Sequence, residues 1–493
     1  MAQPIQLVPQ KDTSTVKNEI LPPLPQETLK GFWEGTPPPV VETYFSKLPL
    51  RLYSPTLRAL RSEVFKEKYT PLLHNTAFEK GLITLLMGTG QVDQAKEILL
   101  ESNLPDKDEI LLNLEWQQVE SKKACEKITN LVRSSTNLGW KRQNVYCLYE
   151  NGEKERAKVA MEVLGETNPE DSQLLNALFD PTIQLSFEPS IGNSPFLLAL
   201  WCSIGQDIPE SALKEMAPSS LALIANSEKM PLKTRILAGE MALNTGAIKG
   251  EKLLNFLKDA PKGGLIENIA QDLKSPTPET LAPLFERAAS ENKLGLVVEI
   301  FKPQMTQLTP SPETLSLAPY LIRGALEEGD KDLAQKWSSI YVREAPDEAI
   351  SCLPLIHLAF PQTKWGESQL QIWQAYQTRT FPEKAAMNSY LLRRVLGALG
   401  EPLGSPLKGE GDAPSWRQEK SLFNENDLSL LDSATESKRK GEVVLLTLSI
   451  IGETPLKDLP VDKFARLLQA LHKIGYTVEA RSLALEFLLA KGI

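Results

Sequence analysis

Prolines and glycines punctuate this chain at a nearly fixed interval, and that interval restricts what it can fold into. Pro278, Pro312, Pro346 and Pro382 lie 34, 34 and 36 residues apart, and Pro209 lies 69 residues, two such steps, before Pro278. An acidic residue follows each of them, in IPES, TPET, SPET, APDE and FPEK, and again in NPED at 168–171. Proline at the first helical position forfeits no hydrogen bond, and an acid behind it complements the positive end of the helix. In TPET, SPET and NPED a Thr, Ser or Asn precedes the proline and can serve as N-cap. These prolines are read as helix starts.

A second spacing recurs. Glycine and alanine five positions apart occur as Gly90 and Ala95 in GQVDQA, Gly152 and Ala157 in GEKERA, Gly329 and Ala334 in GDKDLA, and Gly475 and Ala480 in GYTVEA. A glycine can end a first helix because it adopts positive φ without steric cost. The alanine then falls one turn inside a second helix, where a small side chain lets the pair close. Apolar residues recur at three and four positions along most of the chain, whereas alternating β-branched runs are sparse. The expectation is an all-α protein, a helical-hairpin repeat solenoid with a period in the mid-thirties.

The hinge segments also carry a family resemblance. GDKDLAQKWSSIYVREAP (329–346) and GEKERAKVAMEVLGETNP (152–169) resemble the second half of a tetratricopeptide repeat: Gly, four residues, Ala, then Pro twelve after the alanine. GQVDQAKEILLESNLP (90–105) departs by two residues at the proline, and the family's first-helix pattern of Trp, Leu-Gly and Tyr is not met. The resemblance covers about four units and is thin over 210–280. It implies a tetratricopeptide-like superhelix whose first helices line a concave groove for a peptide or helix of a partner protein. GFWEGTPPPVVETYFSKLPL (31–50) and KRKGEVVLLTLSIIGE (438–453) are similar to segments of large all-helical bacterial proteins that usually carry an export signal.

Four regions follow from composition. Residues 1–30 are Pro- and Gln-rich and read as an extended tail. Residues 31–400 form the repeat array, 401–420 a Gly- and Pro-rich flexible linker, and 421–493 C-terminal helices capping the array. Pro283, Pro319 and Pro354 fall beyond the expected helix starts, so those units are read as a short first element with the main helix starting at the second proline.

Charge narrows the class of partner. The net charge is −9 with Lys and Arg dispersed, which disfavours nucleic acid, since phosphate binding needs a concentrated basic face. The apolar runs SPFLLALWCSIG (194–205) and VVLLTLSII (443–451) are shorter than the roughly 20 residues that cross a bilayer, and read as buried helix segments. MAQPIQLVPQ has neither a basic nor an apolar signal region. The expectation is a periplasmic protein whose signal has been removed, with a cytoplasmic one as the alternative.

Cys125 and Cys147 flank the turn-like LVRSSTNLGW symmetrically, which sets them at one height on facing helices. They are read first as two small buried hydrophobes, and alternatively as a disulfide, which requires both to point inward. Cys202 and Cys352 have no evident partner.

Patterns that carry chemistry are sparse. His74, His357 and His472 lack a second ligand at helical spacing, so metal patterns are missing, and His357 in LPLIHLAF reads as a core residue. No nucleophile elbow, Walker loop or dinucleotide fingerprint occurs. MGTGQVDQA lacks the third glycine of a phosphate loop, and SALK (211–214) lacks the partner motifs of acyl-transfer enzymes. The Glu-Ser dipeptides at Glu101–Ser102 and Glu367–Ser368 lack the glycine- and glutamine-containing sequel of soluble lytic transglycosylases. No catalytic, cofactor-binding or metal-ligating residue is assigned. The expected function is a non-catalytic protein-binding scaffold within a bacterial envelope complex. The alternative is a cell-envelope polysaccharide-processing enzyme or its helical accessory domain, which a deep pocket with converging carboxylates would favour.

Overall fold

The computed structural model describes residues 31–407 and 424–493, apart from 68–71, 73–74, 119–120, 134–136, 168, 259, 262, 364, 402 and 404. The N-terminal tail, most of the Gly- and Pro-rich linker and His74 therefore lie outside the described residues. Among those described, every regular element is helical and there is no β-strand. No helix among them is long and apolar enough to cross a membrane.

The hinge glycines explain the local architecture. Gly90, Gly152, Gly329 and Gly475 have φ of +82°, +82°, +73° and +95°. They separate Thr76–Gly88 from Val92–Glu101, Leu138–Glu150 from Lys154–Thr167, Ala318–Glu327 from Lys331–Glu344, and Val461–Lys473 from Thr477–Ala490. At Gly329 the glycine N–H donates to Leu326 O at 3.3 Å and the next N–H to Ala325 O at 2.8 Å, satisfying carbonyls the ended helix would leave open. A Cβ at Gly152, Gly329 or Gly475 would meet nothing within 4 Å, so the backbone angle alone calls for glycine there. Ala95, Ala157, Ala334 and Ala480 are all fully buried. The same hinge forms without glycine at Asn292 and Lys438, with φ of +54° and +57°.

The prolines act in three ways. Pro278 opens the helix Pro278–Ser290, capped by the Thr277 hydroxyl, and that helix continues through Pro283. The expected short first element is therefore not found there; Leu281, Phe285 and Ala288, all fully buried, anchor the helix on both sides of the proline. Pro319 and Pro354 do sit in the first turns of Ala318–Glu327 and Leu353–Ala359, each preceded by a short 3-10 turn. Pro312 and Pro382 lie in turns ahead of such helices.

Two apolar cores result among the described residues. The smaller surrounds Trp116, whose ring lies 5.5 Å from Tyr146 and 5.2 Å from Phe196. Cys125 and Cys147 belong to it and are joined in a disulfide, with Cα atoms 5.3 Å apart. Of the two readings of this pair, the structure has the bonded one rather than the one ranked first: both side chains face the inside of the hairpin. Cys202 and Cys352 are buried thiols.

The larger core runs from Phe32 to Ile493 and brings distant parts of the chain together. Tyr44 OH donates to Asp427 at 2.5 Å, the Ser449 hydroxyl to Tyr44 O at 3.1 Å, and Tyr476 OH to Glu63 at 2.6 Å. Arg51 pairs with Glu453 at 2.8 Å. The stretches 31–50 and 438–453, singled out together in the sequence, are thus packed on each other. Thr477–Ala490 lies against Pro55–Lys66, Ala318–Glu327, Leu353–Ala359 and Ala385–Ala398. Hairpin periodicity does not by itself imply this meeting of distant segments.

Candidate functional site

An apolar groove of about 580 Å³ opens where Pro55–Lys66 meets the first glycine-hinged hairpin. Its construction begins with the end of that helix, whose last carbonyls need partners. The Trp33 indole N–H donates to Glu67 O at 2.9 Å, and the Gln94 amide to Phe65 O at 3.1 Å. Those bonds fix Trp33 and the Val92–Glu101 helix on either side of Phe65. Phe45 packs between Phe65 and Phe78, with ring centroids 6.1 and 4.8 Å away. The buried Trp33, Phe45, Val64 and Phe65 form the floor, while Phe78, Leu82 and Ile98 are half-buried along the walls. Lys66, Glu67, Glu79, Glu97 and Glu101 stand around the opening. Chemically, the groove offers apolar contact, with acidic side chains among the residues at its edge.

A second recess, of about 350 Å³, lies on the seam between distant segments. Glu486 in Thr477–Ala490 accepts the Thr56 N–H at 3.1 Å and the Thr56 hydroxyl at 2.5 Å, so it caps the first turn of Pro55–Lys66. Glu327 accepts the Gly295 N–H at 2.6 Å. A Cβ on Gly295 would lie 2.8 Å from a Glu327 oxygen and 2.9 Å from a Glu328 oxygen, so the missing side chain admits both carboxylates. Arg58 donates to Tyr53 O at 3.1 Å and Asn244 O at 2.7 Å.

Burial dominates the electrostatics of this recess. It pushes Glu328 up to about 7, with Glu299, Glu327 and Glu486 adding to the rise and Arg58 opposing it. Burial likewise raises Glu327 and Glu486 and lowers Arg58. Glu327 and Glu486 each also accept a backbone N–H, which opposes the rise that burial causes in them.

The hinges flagged in the sequence are distributed over these features. Gly90 and Ala95 set the helix that supplies Gln94, Glu97, Ile98 and Glu101 to the groove. Gly329 directly follows Glu327 and Glu328, and Gly475 precedes the helix bearing Glu486. Ala157 belongs to the disulfide core. His357 is buried, stacks on Trp365 at 5.0 Å, and its carbonyl accepts from Arg481 at 2.8 Å. Burial holds its imidazole below the usual range. The Ser102 hydroxyl is bonded to Leu99 O at 2.9 Å and Lys214 of SALK pairs with Glu210 at 2.6 Å. Among the described residues, no cluster of three or more His, Cys, Asp or Glu is placed to hold a metal ion.

Sequence reasoning missed the groove residues. Their signal was present in the spacing of Phe78 with Leu82 and of Gln94, Glu97, Ile98 and Glu101, which share one helical face. Periodicity alone assigns such a face to the core. Compared with known proteins, the chain matches no family model, no curated protein and no solved structure.

Proposed function

We propose that the protein is a non-catalytic scaffold of stacked helical hairpins, tetratricopeptide-like in architecture, that captures a segment of a protein partner in the apolar groove. One observation carries the reading: half-buried Phe78, Leu82 and Ile98 line an open recess above an aromatic floor. Grooves of this kind accept the apolar face of a helix or the anchor side chains of an extended peptide. An envelope setting is supported by the Cys125–Cys147 disulfide, since such bonds persist in oxidising compartments. The test is capture of partner peptides by the full chain and by Leu82→Asp and Ile98→Asp variants. Loss of binding with an unchanged melting temperature supports the reading, whereas undiminished binding refutes the groove as the site.

The seam recess favours the second reading, a polysaccharide-processing enzyme, because Glu327, Glu328 and Glu486 converge there. Two of these carboxylates are engaged by backbone N–H groups, which suits a structural joint better than an acid–base pair. Turnover of cell-wall glycan fragments by the wild type, abolished in Glu328→Gln, would establish the enzyme reading instead.

A further inference from the structure

We infer that oxidation of Cys125 and Cys147 fixes the Val92–Glu101 wall of the groove, acting through the buried carboxylate of Glu115. That this wall serves binding rests on the scaffold reading; the coupling itself does not. Glu115 lies in Lys107–Gln117, which follows the groove wall in the chain and precedes the disulfide hairpin, and it is only 2% exposed. Its Oε1 accepts Lys127 Nζ at 2.6 Å from Ser121–Leu131 and Lys96 Nζ at 3.3 Å from Val92–Glu101. One oxygen thus joins three consecutive helices. Burial pushes the Glu115 carboxyl up, but the two ammonium groups outweigh it and hold the group below its usual range.

The disulfide sets where Lys127 stands. Among the described residues, Ser121–Leu131 buries Ala124, Cys125 and Ile128, and two of these three side chains are small. The bond to Cys147 ties this helix to Leu138–Glu150. That second helix has its own anchors: the Tyr146 ring lies 5.5 Å from Trp116, and its hydroxyl shares a 2.8 Å hydrogen bond with Ser203. Lys127 is two residues from Cys125, so the same tie holds its ammonium over Glu115. Without the tie, Glu115 is left with the longer bond to Lys96. A buried carboxylate that loses one of two cations is costly until it turns toward the other or toward water. Either movement disturbs Lys96, and with it Gln94, Glu97 and Ile98 on the same helix.

Forming the bond takes an oxidant of the disulfide class, R–S–S–R. One cysteine thiolate attacks it and expels RS−; the other attacks the mixed disulfide and expels the second RS−. The two cysteine protons and two electrons leave on two RSH. In the folded protein both cysteines are buried, so the bond is then shielded and the device acts as the chain folds.

Native-state amide hydrogen exchange of the full chain, read by mass spectrometry, tests the coupling without a ligand. It compares the oxidised wild type, Cys125→Ala with Cys147→Ala, Lys127→Met with the disulfide intact, and all three substitutions together. Exchange within Val92–Glu101 should be about tenfold faster in the double cysteine variant and in Lys127→Met, the scale of one charge-assisted hydrogen bond. In Lys127→Met, Leu138–Glu150 should keep its wild-type rate. The triple variant should be no faster over Val92–Glu101 than Lys127→Met, because the link is already cut. Unchanged exchange over Val92–Glu101 in either variant, or effects that multiply in the triple one, would overturn the inference. Should the cysteine variants not fold, Lys127→Met decides alone by the same criterion. Peptide capture by the oxidised wild type is scored separately: its absence beside this exchange pattern would end the scaffold reading and leave the coupling standing.

Discussion

The backbone N–H of Gly441 donates to the carbonyl of Phe32 at 2.7 Å, and a methyl group on that glycine would sit 2.4 Å from Cε3 of Trp33. Helix Lys440–Ile451 can lie this close to the N-terminal aromatic pair only because one side chain is missing. Around it, Val443, Val444, Leu445 and Leu446 are fully buried, and Glu442 is paired with Arg439 at 2.7 Å.

Gly441→Ala is therefore expected to destabilise the protein by roughly 1–3 kcal/mol, the usual cost of overpacking. Urea denaturation would show the loss. Limited proteolysis should show new cleavage within residues 31–50, because the displaced partner is Phe32–Trp33.

The hinge glycines separate two effects of the same substitution. Gly329→Ala should cost about 1–2 kcal/mol, since φ of +73° strains any residue with a Cβ. Gly329→Asn should cost less, as Asn292 already occupies such a hinge. Gly81→Ala, in the interior of Thr76–Gly88 with no neighbour within 4 Å of the new methyl, should instead stabilise by about 0.5–1 kcal/mol. Denaturation midpoints of the three variants check the signs.

Removing the disulfide with Cys125→Ala and Cys147→Ala should cost about 3 kcal/mol, given the 22-residue separation it closes. Thermal unfolding with and without a reductant would show the same difference in the wild type and none in the double variant. Both sulfurs are buried, so reduction should follow unfolding rather than precede it.

The seam carboxyls predict a pH dependence. Glu328 titrates near pH 7 in the folded protein and near 4.3 when unfolded, so the folded state binds the extra proton between those values. The stabilisation is complete below about pH 4 and is lost as pH rises through 7. Burial shifts Glu327 and Glu486 the same way. Wild-type stability should fall between pH 5 and pH 8, and Glu328→Gln should lessen that fall by on the order of 1–3 kcal/mol. An unchanged slope in the variant would remove Glu328 from the account.

What was legible in the sequence was local. Positive φ at Gly90, Gly152, Gly329 and Gly475, and burial of the alanine five residues on, follow from steric rules that act within one turn. Pro278 and Thr277 announced a helix start for the same reason. The hinges at Asn292 and Lys438 escaped because those residues adopt positive φ rarely and bear no fixed signature. Gly441 supports a contact with Phe32 that no local pattern encodes. The groove and the seam were illegible for the same cause. Trp33, Phe65, Phe78 and Ile98 become neighbours only after hairpins dock, and Glu486 meets Thr56 across 430 residues.

That last separation bears on how the molecule is made. A ribosome adding about 5–20 residues per second needs roughly 20–90 seconds to travel from Thr56 to Glu486. Throughout that interval the first turn of Pro55–Lys66 lacks the carboxylate that accepts the Thr56 N–H and hydroxyl. The N-terminal part of the chain therefore completes its packing only when a piece synthesised long after it arrives. Shortening the chain before Thr477 should unmake its beginning.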